Sequence, residues 1–74
     1  MSRLYAALRG LMAANDYTQH QFARAINVAP RTMDTRMQGK YPFTLDEAYA
    51  TLDLFRIPHD RLHEIFPKDG RKAL

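Results

Sequence analysis

Apolar residues recur at helical spacing from the start of the chain. In the first segment they are Leu4, Leu8, Leu11 and Met12. Residues three or four apart lie on one face of a helix, so this pattern predicts a helix that packs by that face. Ser2 can cap its start by accepting a hydrogen bond from a free backbone N–H. Asn15-Asp16 is expected to end it, because Asn tolerates the left-handed conformation that follows many helices.

Two short helices are predicted next. Thr18-Gln19-His20-Gln21 has the pattern of a capping box, in which two side chains satisfy free backbone N–H groups reciprocally. The buried stripe of this helix is expected to be Phe22, Ala23 and Ile26. Pro30 opens the third helix at its first position, where the missing N–H of proline does no harm. Met33 and Met37 are its inward positions, and Gly39 ends it.

A second capping box, Thr44-Leu45-Asp46-Glu47, begins the fourth helix. Its apolar positions are Leu45, Ala48, Leu52 and Phe55. Pro58 breaks this helix, and Pro67 stops a short fifth one. The apolar positions of the fifth helix are Leu62, Ile65 and Phe66. Because no segment alternates apolar and polar residues as a strand does, the sequence predicts an all-α fold of five helices.

The length and composition set limits on the class of protein. A chain of 74 residues forms one small domain, which we expect to span residues 1–67 before a flexible basic tail at 68–74. There is no cysteine, so neither a disulfide nor a thiolate metal site is available. No apolar run reaches the length of a membrane span, and the polar start is unlike a signal peptide. We therefore expect a cytoplasmic protein.

The charges are unevenly distributed along the chain. Residues 18–40 hold four basic residues against Asp34 alone, a net charge of +3, whereas residues 41–66 have a net charge of −3. A solvated surface shows such a pattern by chance. A basic face for nucleic acid, with an acidic face turned away, explains it equally well.

Five positions in residues 18–33 fit two helices that cross after a tight turn. Thr18 caps the first helix, and Ala23 is small where the helices cross. Asn27 suits the positive φ of the turn, and Val28 plugs the turn with an apolar side chain. Met33 anchors the second helix. Together these positions predict a helix-turn-helix unit.

The same residues resemble the Cro/CI-type family of phage repressors. The matching run is Thr18-Gln19-x-x-Phe22-Ala23-x-x-Ile26-Asn27-Val28-x-Pro30-x-Thr32-Met33. Further similar runs are Gly39-Lys40-x-Pro42-Phe43-Thr44-Leu45-Asp46-Glu47-Ala48 and Leu52-x-x-Phe55-x-Ile57-Pro58-x-Asp60-x-Leu62-x-x-Ile65-Phe66. The resemblance covers roughly residues 4–66. It implies a lambda-repressor-like DNA-binding domain that binds a pseudo-palindromic operator in double-stranded DNA as a homodimer and regulates transcription.

The resemblance also implies roles for single residues. Base-reading positions on the outer side of the third helix are Arg31, Thr32, Asp34 and Thr35. Phosphate-binding positions are Thr18, Gln19, Arg24, Arg36 and Lys40. Arg36 stands where relatives often carry an aliphatic residue, so we expect its stem to pack while its guanidinium reaches outward. Ala29 replaces the usual Ser or Thr cap, and Pro30 replaces a glutamine that reads bases in relatives.

Large apolar residues near the end of the chain predict a dimer interface. They are Phe55, Ile57, Leu62, Ile65 and Phe66. One short helix needs fewer residues to seal a small core, so some are expected to stay exposed and to meet a second copy. The alternative is that all five close the core and that the chain dimerises only on DNA.

Other functions find less support in the sequence. His59 and His63 have a spacing that can hold zinc, but beyond Glu64 no third ligand is evident, so no metal is expected. Ser2 is the only serine, and there is no glycine-rich phosphate loop, so neither an enzyme nor a cofactor site is predicted. The second hypothesis is a protein-interaction module, such as an antitoxin or adaptor, that uses the acidic region 41–66.

Overall fold

The computed structural model describes residues 4–68, and this part of the chain contains five α-helices and no strand. The helices are α1 (Ala6–Ala14), α2 (Gln19–Ala25), α3 (Pro30–Met37), α4 (Leu45–Leu54) and α5 (Leu62–Ile65), and a 3-10 turn, His59–Arg61, leads into α5. The all-α class is therefore confirmed. Among the described residues, no helix is long and apolar enough to cross a membrane. Of the predicted tail, all but Lys68 lies outside the described residues.

Side-chain caps begin α2 and α4, as predicted. In α2 the Thr18 hydroxyl accepts a hydrogen bond from the Gln21 N–H at 3.1 Å, and Gln21 Oε1 accepts one from the Thr18 N–H at 2.9 Å. Thr44 and Glu47 form the same reciprocal pair at the start of α4, with distances of 3.1 and 3.0 Å. These bonds satisfy N–H groups that have no partner inside the helix, so both starts are fixed by local sequence.

The start of α3 is also where the sequence predicts it, but it has no side-chain cap. Pro30 is its first residue, and Ala29 precedes it in an extended conformation, with φ −61° and ψ 136°. Replacing Ala29 by serine is expected to stabilise the fold by about 1 kcal/mol, because the new hydroxyl accepts a hydrogen bond from the first turn of α3. Chemical denaturation measures this change.

The control for this prediction is Ala25→Ser, which places the same side chain at the exposed last residue of α2 rather than before the start of a helix. A hydroxyl there caps nothing and slightly lowers helix propensity, so no gain is expected. An unchanged or lower denaturation midpoint for Ala29→Ser would contradict the role of position 29 as the helix cap.

The first helix begins later than predicted. It starts at Ala6, and Tyr5 before it has a left-handed backbone, with φ 55° and ψ 44°; the predicted cap at Ser2 lies outside the described residues. This turn buries the Tyr5 ring, whose centroid is 5.0 Å from that of Phe43 and 6.3 Å from that of Phe66. Aromatic packing across the fold thus outweighs the helical pattern that Leu4 shares with α1.

The first four helices end in the same way. One residue after each helix cap adopts a positive φ: Asp16, Asn27, Gly39 and Arg56. The following N–H then bonds back to a carbonyl five residues earlier, as in Tyr17 to Met12 and Val28 to Ala23, both at 2.8 Å. This pattern is the Schellman motif. The predicted ends at Asn27 and Gly39 are confirmed, whereas at the end of α1 the left-handed residue is Asp16 rather than Asn15.

Arg56 is the unexpected member of this set, because arginine has no local feature that favours a positive φ. Its φ is 57°, and its exposed side chain makes no hydrogen bond or ion pair with the described residues. Replacing Arg56 by glycine is expected to stabilise the fold by about 0.5–1 kcal/mol, since glycine adopts this conformation without steric cost. Arg56→Ala is the matched control: it removes the side chain but keeps the Cβ, so a similar gain in both variants would argue against relief of strain.

The core confirms most of the predicted inward positions. Phe22 and Ala23 of α2 and Met33 of α3 are fully buried, and α2 and α3 pack against each other. One position in α4 is wrong: Leu45, expected to face the core, is 65% exposed. Thr51 is buried instead, and its hydroxyl donates a hydrogen bond to the Glu47 carbonyl at 2.8 Å.

The large apolar residues near the end of the chain, from which a dimer interface is predicted, pack in or against the core. Ile65 is buried in the core, and the other four residues of the predicted interface are only partly exposed and pack against that core. These four are Phe55, Ile57, Leu62 and Phe66. Two of them make aromatic contacts with other parts of the domain. The Phe55 ring stacks on that of Phe22 with centroids 5.9 Å apart, and the Phe66 ring packs edge-on against that of Phe43 with centroids 4.9 Å apart. All five residues thus contribute to the core, and four of them keep part of their surface exposed, so their role in a dimer stays a prediction.

Candidate nucleic-acid interface

The candidate interface is built on α2 and α3, which are joined by the four residues 26–29. Ile26 and the half-buried Val28 turn toward the core, while Asn27 between them is exposed and has a φ of 62°. The N–H groups of Asn27 and Val28 bond back to carbonyls of α2 at 3.1 and 2.8 Å. Hydrogen bonds and the packing of Ile26 and Val28 against the core thus fix this turn, so it holds the two helices at a defined angle.

Two buried methionines orient α3. Met33 is 0% and Met37 1% exposed, and they lie four residues apart on the inner face. The opposite face carries Arg31, whose exposed side chain makes no hydrogen bond or ion pair with any described residue. A rigid helix therefore presents a free guanidinium to solvent.

The other three predicted base-reading residues are half-buried on α3. The Thr35 hydroxyl donates a hydrogen bond to the Thr32 carbonyl at 2.7 Å, so only its lone pairs and methyl group remain available. The Thr32 hydroxyl has no partner among residues 4–68. Of the two threonines, Thr32 keeps a free hydrogen-bond donor.

Asp34 links the outer face of α3 to the start of α2. Its Oδ1 accepts a hydrogen bond from the Gln19 side-chain amide and lies 3.1 Å from His20 Nε2. The second carboxylate oxygen lies 3.4 Å from the same His20 nitrogen. The sequence did not indicate this contact, since partners 14 and 15 residues apart meet only once the two helices are packed.

The predicted phosphate-binding residues divide into free and occupied side chains. The side chains of Arg24 and Lys40 are exposed and make no hydrogen bond or ion pair within the described part of the chain. Thr18 accepts a hydrogen bond in the α2 cap but keeps its O–H as a donor. Gln19 uses one N–H for Asp34 and keeps the other. All four can still donate to a phosphate oxygen.

Arg36 does not reach outward as expected. Its Nε donates to Glu47 Oε1 at 3.0 Å and its Nη2 to Glu47 Oε2 at 3.4 Å, and the two side chains are only 17% and 15% exposed. Glu47 is already oriented by the cap of α4, so its carboxylate is in place to receive the guanidinium. Arg36 therefore joins α3 to α4, and its charge is balanced within the fold.

The electrostatics of Glu47 follow from this pair. Burial raises the pKa of its carboxyl, but hydrogen bonds from Arg36 and from the Thr44 backbone, with the attraction of the Arg36 charge, outweigh burial. The net result is a pKa below the ordinary value of 4.5. The ionised carboxylate is thus the form that the fold favours.

The histidine pair considered for zinc has other contacts. His59 Nε2 lies 2.7 Å from Asp53 Oδ1, and its ring is 4.8 Å from that of Tyr49. Within residues 4–68, no three side chains of the types that bind metals come together as a site.

A comparison with models of protein families and with curated protein sequences found no match to this chain.

Proposed function

We propose that this protein is a sequence-specific DNA-binding regulator of transcription, in which α2 and α3 act as a lambda-repressor-like helix-turn-helix. In this proposal α3 enters the major groove of double-stranded DNA, and the bound protein blocks a promoter in the cytoplasm. Neither a catalytic step nor a cofactor is involved. The resemblance of residues 18–33 to Cro/CI-type repressors leads to the same expectation.

The observation that carries the proposal is the outer face of α3. A helix anchored by two buried methionines holds Arg31 in solvent with no partner in the described chain. The fork of N–H groups on arginine matches the two acceptors of guanine in the major groove. Arg24 and Lys40 add free charges suited to phosphate, which position a protein on DNA but do not choose the sequence.

We propose that two copies bind one operator. A single recognition helix covers only a few base pairs, and a domain this small lacks the contact area for tight specific binding. Two copies related by a two-fold axis read a pseudo-palindrome with half-sites roughly 34 Å apart. Because the five large apolar residues in 55–66 that suggest an interface pack in or against the core, we propose that the two copies pair on the DNA.

The test of this proposal is selection of bound sequences from random double-stranded DNA, followed by titration of the selected site at several salt concentrations. A DNA-binding dimer is expected to enrich two inverted half-sites, and its log affinity falls steeply with log salt. Sedimentation of the complex counts the copies. One copy per selected site would contradict the dimer.

A second candidate function is a protein-interaction module. It is favoured by three exposed large apolar residues in the acidic region 41–66: Tyr41, Leu45 and Tyr49, which are 59%, 65% and 38% exposed. Exposed apolar side chains of this size often meet a protein partner. Weak binding to every DNA sequence with a flat salt dependence would favour this function over the first.

A further inference from the structure

Asp34 is an unusual residue for a face that meets DNA. It is the only acidic residue in the basic segment 18–40, and its side chain is 39% exposed on α3. A carboxylate repels phosphate, and when ionised it can only accept hydrogen bonds. On a DNA-binding face such a group lowers affinity unless a hydrogen-bond donor of the DNA meets it.

Two side chains of α2 hold this carboxylate in place. The Gln19 amide and His20 Nε2 both contact Oδ1, whereas the one contact of Oδ2 with the described residues is the longer 3.4 Å approach of His20. A carboxylate offers about four acceptor sites, so this arrangement leaves acceptors free, chiefly on Oδ2. Gln19 and His20 thus fix the rotation of the Asp34 carboxylate while it keeps capacity for a further donor.

The major groove offers few donors for such a group. Cytosine presents its N4 amino group and adenine its N6 amino group, whereas the edges of guanine and thymine present only acceptors and a methyl group. An ionised carboxylate therefore accepts from cytosine or adenine and is repelled by the oxygen atoms of guanine and thymine.

Asp34 also lies one turn of α3 beyond Arg31. Three residues advance a helix by roughly 4.5 Å, which is close to the roughly 3.4 Å between successive base pairs. The two side chains are therefore spaced to meet neighbouring base pairs, one by donating and the other by accepting.

From this geometry, and resting on the proposed DNA-binding function, we infer that Asp34 selects a base with an exocyclic amino group, cytosine or adenine, next to the guanine that Arg31 reads. Gln19 and His20 are positioning residues, which act by holding the carboxylate. Each operator half-site is thus expected to contain a guanine that Arg31 reads and, at the neighbouring base pair, a cytosine or an adenine that Asp34 selects.

The experiment compares the base preferences of five proteins after selection from random double-stranded DNA: wild type, Asp34→Asn, Asp34→Ala, Gln19→Ala and Asp46→Asn. Asp46→Asn is the matched control, since it removes an exposed negative charge from the first turn of α4 rather than from α3. Wild type and the control are expected to favour cytosine or adenine at one position by at least about fivefold. Circular dichroism checks the helix content of each variant.

The two Asp34 variants are expected to differ from each other. Asp34→Ala loses the preference at that position and keeps the neighbouring guanine, whereas Asp34→Asn shifts the preference to adenine, because an amide pairs with both adenine N6 and N7. Gln19→Ala is expected to weaken the preference at the same position. If Asp34→Ala does not fold, Asp34→Asn carries the test, because it retains the size and an acceptor oxygen.

The outcomes separate the two proposals. Identical base preferences in wild type and both Asp34 variants would overturn the role of Asp34 and leave DNA recognition intact. Absence of any enriched sequence for every protein, with flat salt dependence, would overturn DNA recognition itself and this inference with it.

Discussion

Replacing Arg31 by alanine is expected to weaken binding to the selected operator by about 1–3 kcal/mol, or roughly 5- to 150-fold, and to relax the preference for guanine at one position of each half-site. The physical reason is that the Arg31 side chain has no partner among residues 4–68, so this part of the protein does not satisfy its donors. Affinities of wild type and Arg31→Ala for the operator and for random DNA, measured at one salt concentration, give the result.

Lys40→Ala is the matched comparison for Arg31→Ala. Lys40 is equally exposed and unpaired in the described chain but follows the end of α3, where a phosphate contact is expected. Its removal should weaken all sequences evenly and reduce the salt slope by about one phosphate contact. If Arg31→Ala also weakens operator and random DNA by the same factor, Arg31 binds phosphate and does not read a base.

The parts of the fold that sequence predicts well are those set by neighbours in the chain. Each capping box needs two residues three apart, and both boxes form as predicted. Pro30 and Gly39 likewise bound α3 by their own backbone preferences. The inward stripe of α2 and α3 follows from helical periodicity alone, so it too is visible before the helices are packed.

The parts that sequence does not predict depend on contacts between distant residues. Tyr5 leaves the first helix because its ring packs against Phe43, which precedes α4, and Phe66, which follows α5. Leu45 follows the apolar pattern of α4 but sits in the exposed first turn. No local pattern carries this information, because it depends on how the helices pack.

The candidate site shows the same division. Arg31, Arg24 and Lys40 lie where the motif suggested, on exposed positions of the helix pair and its end. Asp34 and Arg36 lie on the same helix, yet both are engaged by side chains from neighbouring helices. Their partners leave them in different states: Asp34 keeps free acceptor capacity beside Gln19 and His20, whereas the charge of Arg36 is balanced by Glu47.

The link between Arg36 and Glu47 predicts how stability depends on pH. Replacing Glu47 by glutamine is expected to destabilise the fold by about 1–3 kcal/mol near neutral pH, because Arg36 loses a charged partner while glutamine still serves the cap. Since the folded pKa of Glu47 is below its ordinary value of 4.5, the stabilising effect of the carboxylate is fully present above that pH. It is lost as the pH falls through the folded pKa, when the wild-type carboxyl also becomes neutral.

Denaturation curves of wild type and Glu47→Gln across the acidic range measure this dependence. The difference in unfolding free energy is expected to be largest at neutral pH and to narrow steadily below the ordinary pKa of 4.5, because the two side chains become alike in charge. Asp46→Asn, which removes an exposed charge from the same turn of α4 without touching the Arg36 pair, is the matched control and should cost far less at neutral pH. A difference between wild type and Glu47→Gln that stays constant down to strongly acidic pH would mean that the ion pair with Arg36 does not stabilise the fold, and that α3 and α4 are joined by packing alone.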